Sequence, residues 1–347
     1  MLNGGKINCW GNNQKWQLGD GSQDNRKSPV LVSGITTASE VSAGFIHSCA
    51  LLETREVMCW GANDSGQLAL DKEKTQSKIP IMIPEFPNIT KIVVGGLSSC
   101  AINAENRLFC WGRNDFGQLG TGDTENKYIP TTILEDIIDI DIGFNHACAI
   151  RSDKKLFCWG DNSYGQLGDG TQNASLEPKL IESTEATSIK VGENHTCAIN
   201  SVNELFCWGD NQFGQLGTGS TDLLILLPAK AVNDVISFDL GNNHGCLVQE
   251  KTGDIIQTCW GKNDFSQLAL PKDNDPHRTP EALKNIVNID SASLGGNHSC
   301  SLVNTDKSIV KELYCWGDNS SGQIGINSED AIIEEETLVT GITFVGK

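Results

Sequence analysis

A segment of about fifty residues recurs seven times along this chain and constrains its fold more than any other feature. Each copy contains Trp-Gly, an Asn two residues after the Gly, and then Gln-Leu or Gln-Ile. The Trp-Gly pairs are spaced by 50, 51, 48, 49, 52 and 56 residues and begin at Trp10, Trp60, Trp111, Trp159, Trp208, Trp260 and Trp316. A fixed period of this length is typical of stacked or radial arrays in which each unit packs on its neighbours. We therefore treat residues 1–347 as one domain of seven repeats, numbered units 1 to 7 in chain order.

Two apolar runs separated by a short polar turn precede Trp-Gly in units 2 to 7, and this pattern predicts a β-hairpin. If Cys148 faces Cys158 across the hairpin of unit 4, then Ala147 faces Trp159. The same offset places a small residue opposite the tryptophan of each other hairpin: Ser48, Ser99, Thr196, Gly245 and Ser299. Because a small residue accommodates a facing indole, the offset supports both the hairpin and its register.

Twelve of the thirteen cysteines face each other in this register, and Cys9 is left over. The pairs are Cys49 with Cys59, Cys100 with Cys110, Cys148 with Cys158, Cys197 with Cys207, Cys246 with Cys259, and Cys300 with Cys315. Cysteines opposed on antiparallel strands come within disulfide range. We predict six disulfides, each contributing about 2.5–3 kcal/mol, and hence an extracytoplasmic protein rather than a cytoplasmic or nuclear one. Two alternatives are reduced thiols packed as small core residues and a recurring zinc site, which would have only three protein ligands per blade.

No helical stripe of ten residues occurs, and proline and glycine punctuate every unit, so we expect an all-β fold. Seven units of this length suit a seven-bladed β-propeller of four-stranded antiparallel blades, whose closure protects the sheet edges. Residues 345–347 align with Val191-Gly192-Glu193, and residues 1–2 align with Leu51-Leu52. We therefore expect the N- and C-termini to share one blade, an arrangement consistent with a chain excised from a longer open reading frame.

The chain is strongly acidic, with 44 Asp and Glu against 26 Lys and Arg and a net charge of −18. This balance argues against nucleic acid and anionic membranes as partners, since both require a positive surface. The longest apolar run, Leu223 to Leu227, is too short to cross a membrane. We expect a monomer whose partner is another protein and which does not insert into a membrane.

The two motifs together resemble the regulator-of-chromosome-condensation repeat over essentially the whole chain. They are Gly-x-x-His-x-Cys-Ala-Ile and Cys-Trp-Gly-x-Asn-x-x-Gly-Gln-Leu-Gly, both seen in unit 4 and its neighbours. The resemblance implies a seven-bladed propeller but leaves function open. The family includes a nuclear exchange factor for a Ran-type GTPase, a plant ultraviolet receptor, modules of ubiquitin ligases, and secreted bacterial proteins, one of which inhibits β-lactamases. The paired cysteines are most similar to the secreted bacterial members. The photoreceptor's Gly-Trp-Arg-His-Thr motif is absent, because the residues after the glycine are Phe45, Phe144, Glu193 and Asn242.

No residue pattern indicates catalysis. A histidine recurs at one position in five units, at His47, His146, His195, His244 and His298. A residue repeated in this way is architectural, and we expect each imidazole to bond a neighbouring backbone group. The glycine-rich stretches 117–122 and 214–219 are predicted to be turns, since no helix follows to bind a phosphate. Apart from the residues that recur in the repeats, we find no nucleophile, carboxylate pair or metal cluster. We therefore predict a non-enzymatic protein without a cofactor or a metal.

One loop position differs around the ring and provides the candidate binding site. Consecutive units carry an aromatic residue there, at Phe116, Tyr164, Phe213 and Phe265, whereas the other three carry Lys15, Ser65 and Ser321. Grouped aromatic residues are typical anchors of protein interfaces, although the same rings could instead pack onto the blade edge. The last two hairpins are longer than the rest, so Lys251, Asp254 and the segment 304–311 should project beyond the other turns. We therefore predict Lys251 and Asp254, together with the four aromatic residues, as partner-binding residues.

These observations favour a non-enzymatic, secreted or surface-exposed propeller that binds a protein through loops on one face. One alternative is a guanine-nucleotide exchange factor for a Ran-like GTPase, which would need an inserted wedge longer than any insertion in this chain. A second alternative is an inhibitor of an extracellular enzyme.

Overall fold

The computed structural model describes residues 4–86, 88–182, 185–305, 310–342 and 344–345, and all of its regular elements are β-strands. We number blades by the unit whose Trp-Gly they contain. Unit 1 forms a two-stranded short sheet, and units 2 to 7 each form a four-stranded blade. The short sheet consists of β1 (Asn8–Gly11) and β2 (Arg26–Leu31).

The strands of the blades follow in chain order. Blade 2 contains β3 (Ala38–Ala43), β4 (His47–Leu52), β5 (Val57–Ala62) and β6 (Gln76–Met82). Blade 3 contains β7 (Ile89–Gly95), β8 (Ser98–Asn103), β9 (Leu108–Gly112) and β10 (Lys127–Leu134). Blade 4 contains β11 (Ile137–Ile142), β12 (His146–Arg151), β13 (Leu156–Gly160) and β14 (Ser175–Ile181). Blade 5 contains β15 (Ala186–Val191), β16 (His195–Asn200), β17 (Leu205–Asp210) and β18 (Leu224–Val232). Blade 6 contains β19 (Val235–Leu240), β20 (His244–Lys251), β21 (Asp254–Gly261) and β22 (His277–Ala282). Blade 7 contains β23 (Ile289–Leu294), β24 (His298–Asn304), β25 (Val310–Asp318) and β26 (Ile332–Leu338), and β27 (Phe344–Val345) pairs with β25.

Every blade is an antiparallel meander, and the first strands of neighbouring blades approach one another around a common axis. Because successive strands alternate in direction, the loops that follow the first and third strands lie at one end of the propeller. We call this end the loop face. The hairpin turns between the second and third strands lie at the opposite end, which we call the hairpin face.

The predicted hairpin register is confirmed in all six blades. In blade 4, Cys148 pairs with Cys158 and Ala147 pairs with Trp159. The same cross-strand pairing holds at the cysteines of the other five hairpins. The register of each hairpin thus follows from the spacing of its two cysteines.

The six predicted disulfides are also confirmed, and Cys9 is free. The structure joins Cys49 to Cys59, Cys100 to Cys110, Cys148 to Cys158, Cys197 to Cys207, Cys246 to Cys259, and Cys300 to Cys315. The disulfide cysteines of the second and third strands contribute to the packing between blades, so the bridges lie within the hydrophobic core. Their role is therefore structural, as the sequence predicted.

The prediction of seven four-stranded blades is wrong, because the described residues form six blades and the two-stranded sheet of unit 1. The prediction that the termini share a blade is also wrong for the described residues, since β27 joins blade 7 and not the short sheet. The elongated hairpin of blade 7 accounts for this pairing. It extends β25 to Val310, beyond the point where β26 begins to pair at Tyr314, and β27 uses that additional edge.

All seven units nevertheless form a closed ring through one repeated contact. The indole N–H of each tryptophan donates to the main-chain carbonyl of the Gln in the preceding unit, at 2.8–3.0 Å. The acceptors, in order from Trp10 to Trp316, are Gln323, Gln17, Gln67, Gln118, Gln166, Gln215 and Gln267. Since Trp10 bonds to unit 7, this contact joins the two ends of the array.

Three of the five recurring histidines bond side-chain hydroxyls and not backbone groups, which corrects the sequence-based expectation. The Nε2 atom of His146 lies 2.8 Å from Oγ1 of Thr196 in the next blade. That hydroxyl donates its only proton to the carbonyl of Gln166, so the imidazole must donate through Nε2–H. The contact recurs between His47 and Ser99 and between His244 and Ser299. Where the next blade carries Gly245, the side chain of His195 has no hydrogen-bond partner among the described residues.

The residue after Gln-Leu or Gln-Ile is a glycine that packs against the next tryptophan in five units, whereas units 2 and 6 carry Ala69 and Ala269 there. A matched pair of substitutions tests how much the contact of Gly168 with Trp208 contributes in unit 4. Gly168 and Gly170 both have positive φ, 75° and 79°. A Cβ on Gly168 would lie 2.6 Å from Nε1 of Trp208, whereas one on Gly170 would lie 3.4 Å from its nearest neighbour. We expect Gly168→Ala to lower the free energy of unfolding by about 2–4 kcal/mol and Gly170→Ala by about 1–2 kcal/mol. Urea denaturation of both variants checks this, and equal losses would show that the indole contact is unimportant.

Candidate protein-interaction face

The loop after each Trp-Gly is built by the repeated Asn and Gln side chains. In unit 3 the N–H of Leu119 donates to Oδ1 of Asn114 at 2.9 Å, and the N–H of Phe116 donates to Oε1 of Gln118 at 3.0 Å. The equivalent bonds hold Tyr164, Phe213 and Phe265. The repeat motif therefore fixes the backbone at the aromatic position, whatever side chain it carries.

The four predicted aromatic residues lie on the loop face of four consecutive blades, but they are unequally exposed. Phe116 is 39% exposed, whereas Tyr164, Phe213 and Phe265 are half-buried. The guanidinium of Arg113 lies 5.2 Å from the ring centre of Phe116. The ammonium of Lys262 lies 4.8 Å from the ring centre of Phe213. Phe116 and Phe213 thus pack against cationic side chains, and all four residues remain partly accessible to solvent. We call Phe116, Tyr164, Phe213 and Phe265 the aromatic arc.

A second aromatic group lies at the mouth of the central channel and was not selected from the sequence as a binding site. Phe45 is 64% exposed, and its ring meets that of Phe144 edge-on at 5.6 Å. The two residues come from blades 2 and 4, and the half-buried Leu97 comes from the same loop of blade 3. The available signal was that the residue after the repeated glycine is Phe45 in unit 2 and Phe144 in unit 4 but is polar in units 5 and 6. In unit 3 this position is Gly96, and Leu97 is the next residue. We call Phe45, Leu97 and Phe144 the mouth cluster.

Charged side chains on the first strands line the channel below the mouth. Lys91 pairs with Asp139 in the next blade, and Lys190 pairs with Asp239 at 3.1 Å. Asp141 accepts a hydrogen bond from the N–H of Val191 at 2.7 Å, and burial raises the pKa of its carboxyl group to about 6. These carboxylates thus join blade 3 to blade 4, blade 4 to blade 5, and blade 5 to blade 6.

Comparison with known proteins identifies the family. The model of the RCC1-like domain matches residues 6–346, which is nearly the whole chain. The chain belongs to the RCC1-like domain family. Its RCC1-like propeller is superimposable on yeast RCC1 (Prp20), from a complex with Kap60, with a TM-score of 0.85 and 22% identity over 98% of this chain and 85% of that chain. It also matches human WBSCR16, with a TM-score of 0.84 and 17% identity over 97% of this chain and 94% of that chain. These identities establish the fold alone.

Two curated relatives match shorter stretches of the RCC1-like propeller. The probable E3 ubiquitin-protein ligase HERC4 of Rattus norvegicus is 38% identical over 96 residues, which cover 27% of this chain and 9% of the relative. The ultraviolet-B receptor UVR8 of Arabidopsis thaliana is 33% identical over 137 residues, which cover 38% of this chain and 31% of the relative. The match therefore spans less than a third of either relative.

The elongated hairpins of the RCC1-like propeller lie on the hairpin face, away from the aromatic arc. Lys251 and Asp254 flank the two-residue turn Thr252-Gly253 at the tip of blade 6 and are exposed. The structure thus does not bring these two residues together with the four aromatics into one site. Within the predicted segment 304–311, residues 306–309 lie outside the described residues, and Lys311 forms an ion pair with Asp290 at 2.7 Å.

The described part of the RCC1-like propeller contains no group of three or more His, Cys, Asp or Glu side chains arranged to hold a metal ion. None of its described segments forms a helix long and apolar enough to cross a membrane. The zinc alternative for the His-x-Cys motif does not fit the structure, because both cysteines of each described pair are joined in a disulfide.

Proposed function

We propose that this RCC1-like propeller is a non-enzymatic, extracytoplasmic module that binds a partner protein through its loop face. The exposed aromatic surface carries the proposal. Phe45, at 64% exposure, and Phe116, at 39%, are large apolar side chains that a monomer gains nothing by leaving in water. The mouth cluster and the aromatic arc lie on the same face, so one partner can contact both.

The charge around these aromatics favours a basic partner. Asp64 and Asp115 are exposed on the loop face, and Asp161 and Glu193 are half-buried there. Of these four, only Asp115 forms a salt bridge within the described residues, with Arg113 at 2.7 Å. Because the whole chain carries a net charge of −18, association with a basic protein surface would be accelerated at low salt.

The compartment follows from the disulfides. Six intrachain bridges persist only where thiols are not continually reduced, as in secreted or surface-exposed proteins. A nucleotide exchange factor for a cytosolic GTPase would meet its substrate in a reducing compartment, so this alternative has less support. Inhibition of an extracellular enzyme remains a special case of the proposed binding.

Replacing the aromatic arc is expected to abolish partner binding without unfolding the propeller. We expect the variant F116S/Y164S/F213S/F265S to lose the proteins that cross-link to the wild-type chain on its native cell surface or in its native medium. The variant F45S/F144S should weaken the same cross-links, because the mouth cluster would form part of the same interface. Interface anchors of this kind cost at least about 2 kcal/mol each when truncated, or roughly thirtyfold in affinity.

The variant K251S/D254S is the matched control, since it changes exposed side chains on the hairpin face. It should retain every cross-link, and circular dichroism should show that all three variants are folded. Binding that survives loss of the aromatic arc and disappears in K251S/D254S would place the interface on the hairpin face and contradict the proposal.

A further inference from the structure

Among the described residues, four units hold one aspartate of the loop face between the repeated asparagine and a cation. In unit 3, Nδ2 of Asn114 donates to Oδ1 of Asp123 at 3.0 Å, and the ammonium of Lys127 lies 2.7 Å from Oδ2 of the same carboxylate. The corresponding groups are Asn13, Asp20 and Arg26 in unit 1, Asn162, Asp169 and Lys179 in unit 4, and Asn263, Asp273 and His277 in unit 6. Each of these asparagines also accepts the N–H of the leucine after the repeated Gln. The aspartate therefore connects the cation to the backbone that carries the aromatic position.

Unit 6 differs from the other three because its cation is an imidazole. His277 pairs with the Trp-Gly glycine of blade 6, and Arg26 and Lys127 hold the same register position in units 1 and 3. Nε2 of His277 lies 3.1 Å from Oδ1 of Asp273, and Nδ1 lies 2.7 Å from Oε1 of Glu281. An ionised carboxylate can only accept a hydrogen bond, so both ring nitrogens must carry a proton. The geometry therefore requires the charged form of the imidazole.

The two carboxylates also dominate the electrostatics of the ring. Burial by itself would lower the pKa of His277, but the hydrogen bonds to Glu281 and Asp273 outweigh it and raise the pKa above its ordinary value of about 6.5. At the start of the same loop, Lys262 pairs with Asp264 at 2.8 Å, so these two charges balance each other. The other charged residues on the adjoining segments are the exposed Lys272 and Asp275 and, bonded to carbonyls of the blade 5 loop, Arg278.

Loss of one proton from His277 breaks this bridge on one side. A neutral imidazole donates through a single nitrogen, and its other nitrogen then presents a lone pair to a carboxylate. Because the contact with Glu281 is shorter than the contact with Asp273, we expect the neutral ring to keep Glu281 and release Asp273. Asp273 then no longer connects β22 to Asn263. The Arg and Lys side chains of units 1, 3 and 4 keep their charge at these pH values, so only unit 6 can respond in this way.

We propose that His277 is a proton-dependent latch on the blade 6 loop, residues 262–276, which holds Phe265 of the aromatic arc in place while the imidazole is charged. Phe265 lies two residues after Asn263, whose side chain is fully buried and accepts the N–H of Leu268 at 3.2 Å. An ordered anchor loses less conformational entropy on binding, so the loop face should bind its partner more tightly with the latch closed. The latch is closed below about pH 6.5 and opens as the pH rises through the raised pKa. Its effect on binding rests on the proposed function, whereas its effect on the loop does not.

Amide hydrogen exchange at about pH 6.5 and pH 8.5, corrected for the intrinsic effect of pH, tests the latch without a partner. The probes are the amides of Asp275, which donates to Oδ1 of Asp273 at 3.1 Å, and of Leu268. We expect the protection of both to fall roughly three- to tenfold over this interval, as the charged hydrogen bond to Asp273 is lost. The amide of Leu119 is the internal control, since its loop is held by Lys127, and its protection should stay constant. NMR titration of His277 in the same samples shows when the ring loses its charge.

Two substitutions at His277 fix the latch in its two states. In His277→Lys, the ammonium stands four residues after Asp273, the spacing of Lys127 and Asp123, so protection should be high at both pH values. In His277→Ser, the cation is lost, and protection should be low at both. Blades 2 and 4 carry a serine at this register position, so the second variant is compatible with the fold. Unchanged protection in the wild-type chain, a ring that remains charged up to about pH 8.5, or a pH response that persists in His277→Lys would each overturn the latch.

The consequence for binding is measured with the proteins that cross-link to the wild-type chain in its native setting. Their apparent affinity should be about two- to tenfold weaker at about pH 8.5 than at about pH 6.5, the equivalent of ordering one interface side chain. The His277→Lys variant should show no such change, and an equal loss in both proteins would overturn the effect of the latch on binding. A loop face that captures no protein would refute the proposed function alone, because hydrogen exchange decides the latch independently.

Discussion

Reduction of the six intrachain disulfides is expected to unfold the propeller under conditions in which the oxidised protein remains folded. Each bridge closes a hairpin with a sequence separation of 10 to 15 residues and contributes about 2.5–3 kcal/mol in the chain-entropy model. A typical domain has a free energy of unfolding of only about 5–15 kcal/mol, so the loss of a few bridges would remove an amount comparable with the total. Thermal unfolding followed by circular dichroism, with and without reductant, measures the difference.

A single pair provides the quantitative test. We expect C148A/C158A to lower the free energy of unfolding by about 2.5–3 kcal/mol, and C9A to change it by less than about 1 kcal/mol. Intact mass after alkylation without reductant should show one modified thiol on protein from its native host. If the reduced and oxidised proteins unfolded at the same temperature, the twelve cysteines would act as packed thiols, and the inference of an oxidising compartment would lose its support.

Acidification below about pH 6.5 is expected to destabilise the protein through its buried histidines. His47, His146, His195 and His244 are completely buried between blades. Burial lowers the pKa of His47, His195 and His244 to about 3 and that of His146 to about 4. The unfolded chain takes up protons at about pH 6.5, whereas the folded chain cannot. Stability is therefore fully present above pH 6.5 and is lost progressively as the pH falls towards 4.

The expected loss of stability in acid is large because the four buried histidines act in the same direction. At about pH 5, each such histidine lowers the free energy of unfolding by about 2 kcal/mol relative to neutral pH. Asp141 opposes them: burial raises its pKa to about 6, so it is protonated in the folded protein before it is in the unfolded chain. This single group offsets about 1–2 kcal/mol, which leaves a net loss.

Urea denaturation at about pH 7 and pH 5 tests this expectation. In His146→Gln, the amide can still donate to Thr196, and the loss between the two pH values should shrink by about 2 kcal/mol. His277 is the control. Its burial is outweighed by hydrogen bonds with Glu281 and Asp273, which raise its pKa, so its contribution to stability is present at low pH and is lost as the pH rises. His277→Gln should therefore make the acid loss larger. A stability that does not change between the two pH values would show that the imidazoles are accessible to protons.

The two effects together describe a protein whose stability depends on its surroundings. The disulfides require an oxidising medium, and the histidines require a pH near neutrality or above. Both elements lie between blades and not on the loop face, so the proposed binding surface can vary without changing the conditions that the fold requires.

Local spacing determined much of this protein from the sequence alone. The pairing of Cys148 with Cys158 follows from ten residues of separation and the period-two geometry of a hairpin, and the structure confirms it in each of the six blades. The architectural role of the histidines was also predictable, because a repeated residue cannot be a single active site. In these cases the interacting groups lie within one hairpin or recur at one position, so their relation does not depend on how the units are arranged.

Contacts between units were decided only by the tertiary structure. The bond from Trp10 to Gln323 spans 313 residues and exists because the ring closes. The hydrogen-bond partner of each histidine depends on a residue about fifty positions later in the chain. His146 therefore bonds Thr196, whereas His195 faces Gly245 and has no partner among the described residues. The meeting of Phe45 with Phe144, from blades that are not adjacent, depends on the convergence of loops at the channel mouth. The sequence specifies the structure of each unit because the interactions within a unit are local. The placement of Trp10, β27 and the mouth cluster depends instead on which surfaces the neighbouring units cover or leave exposed.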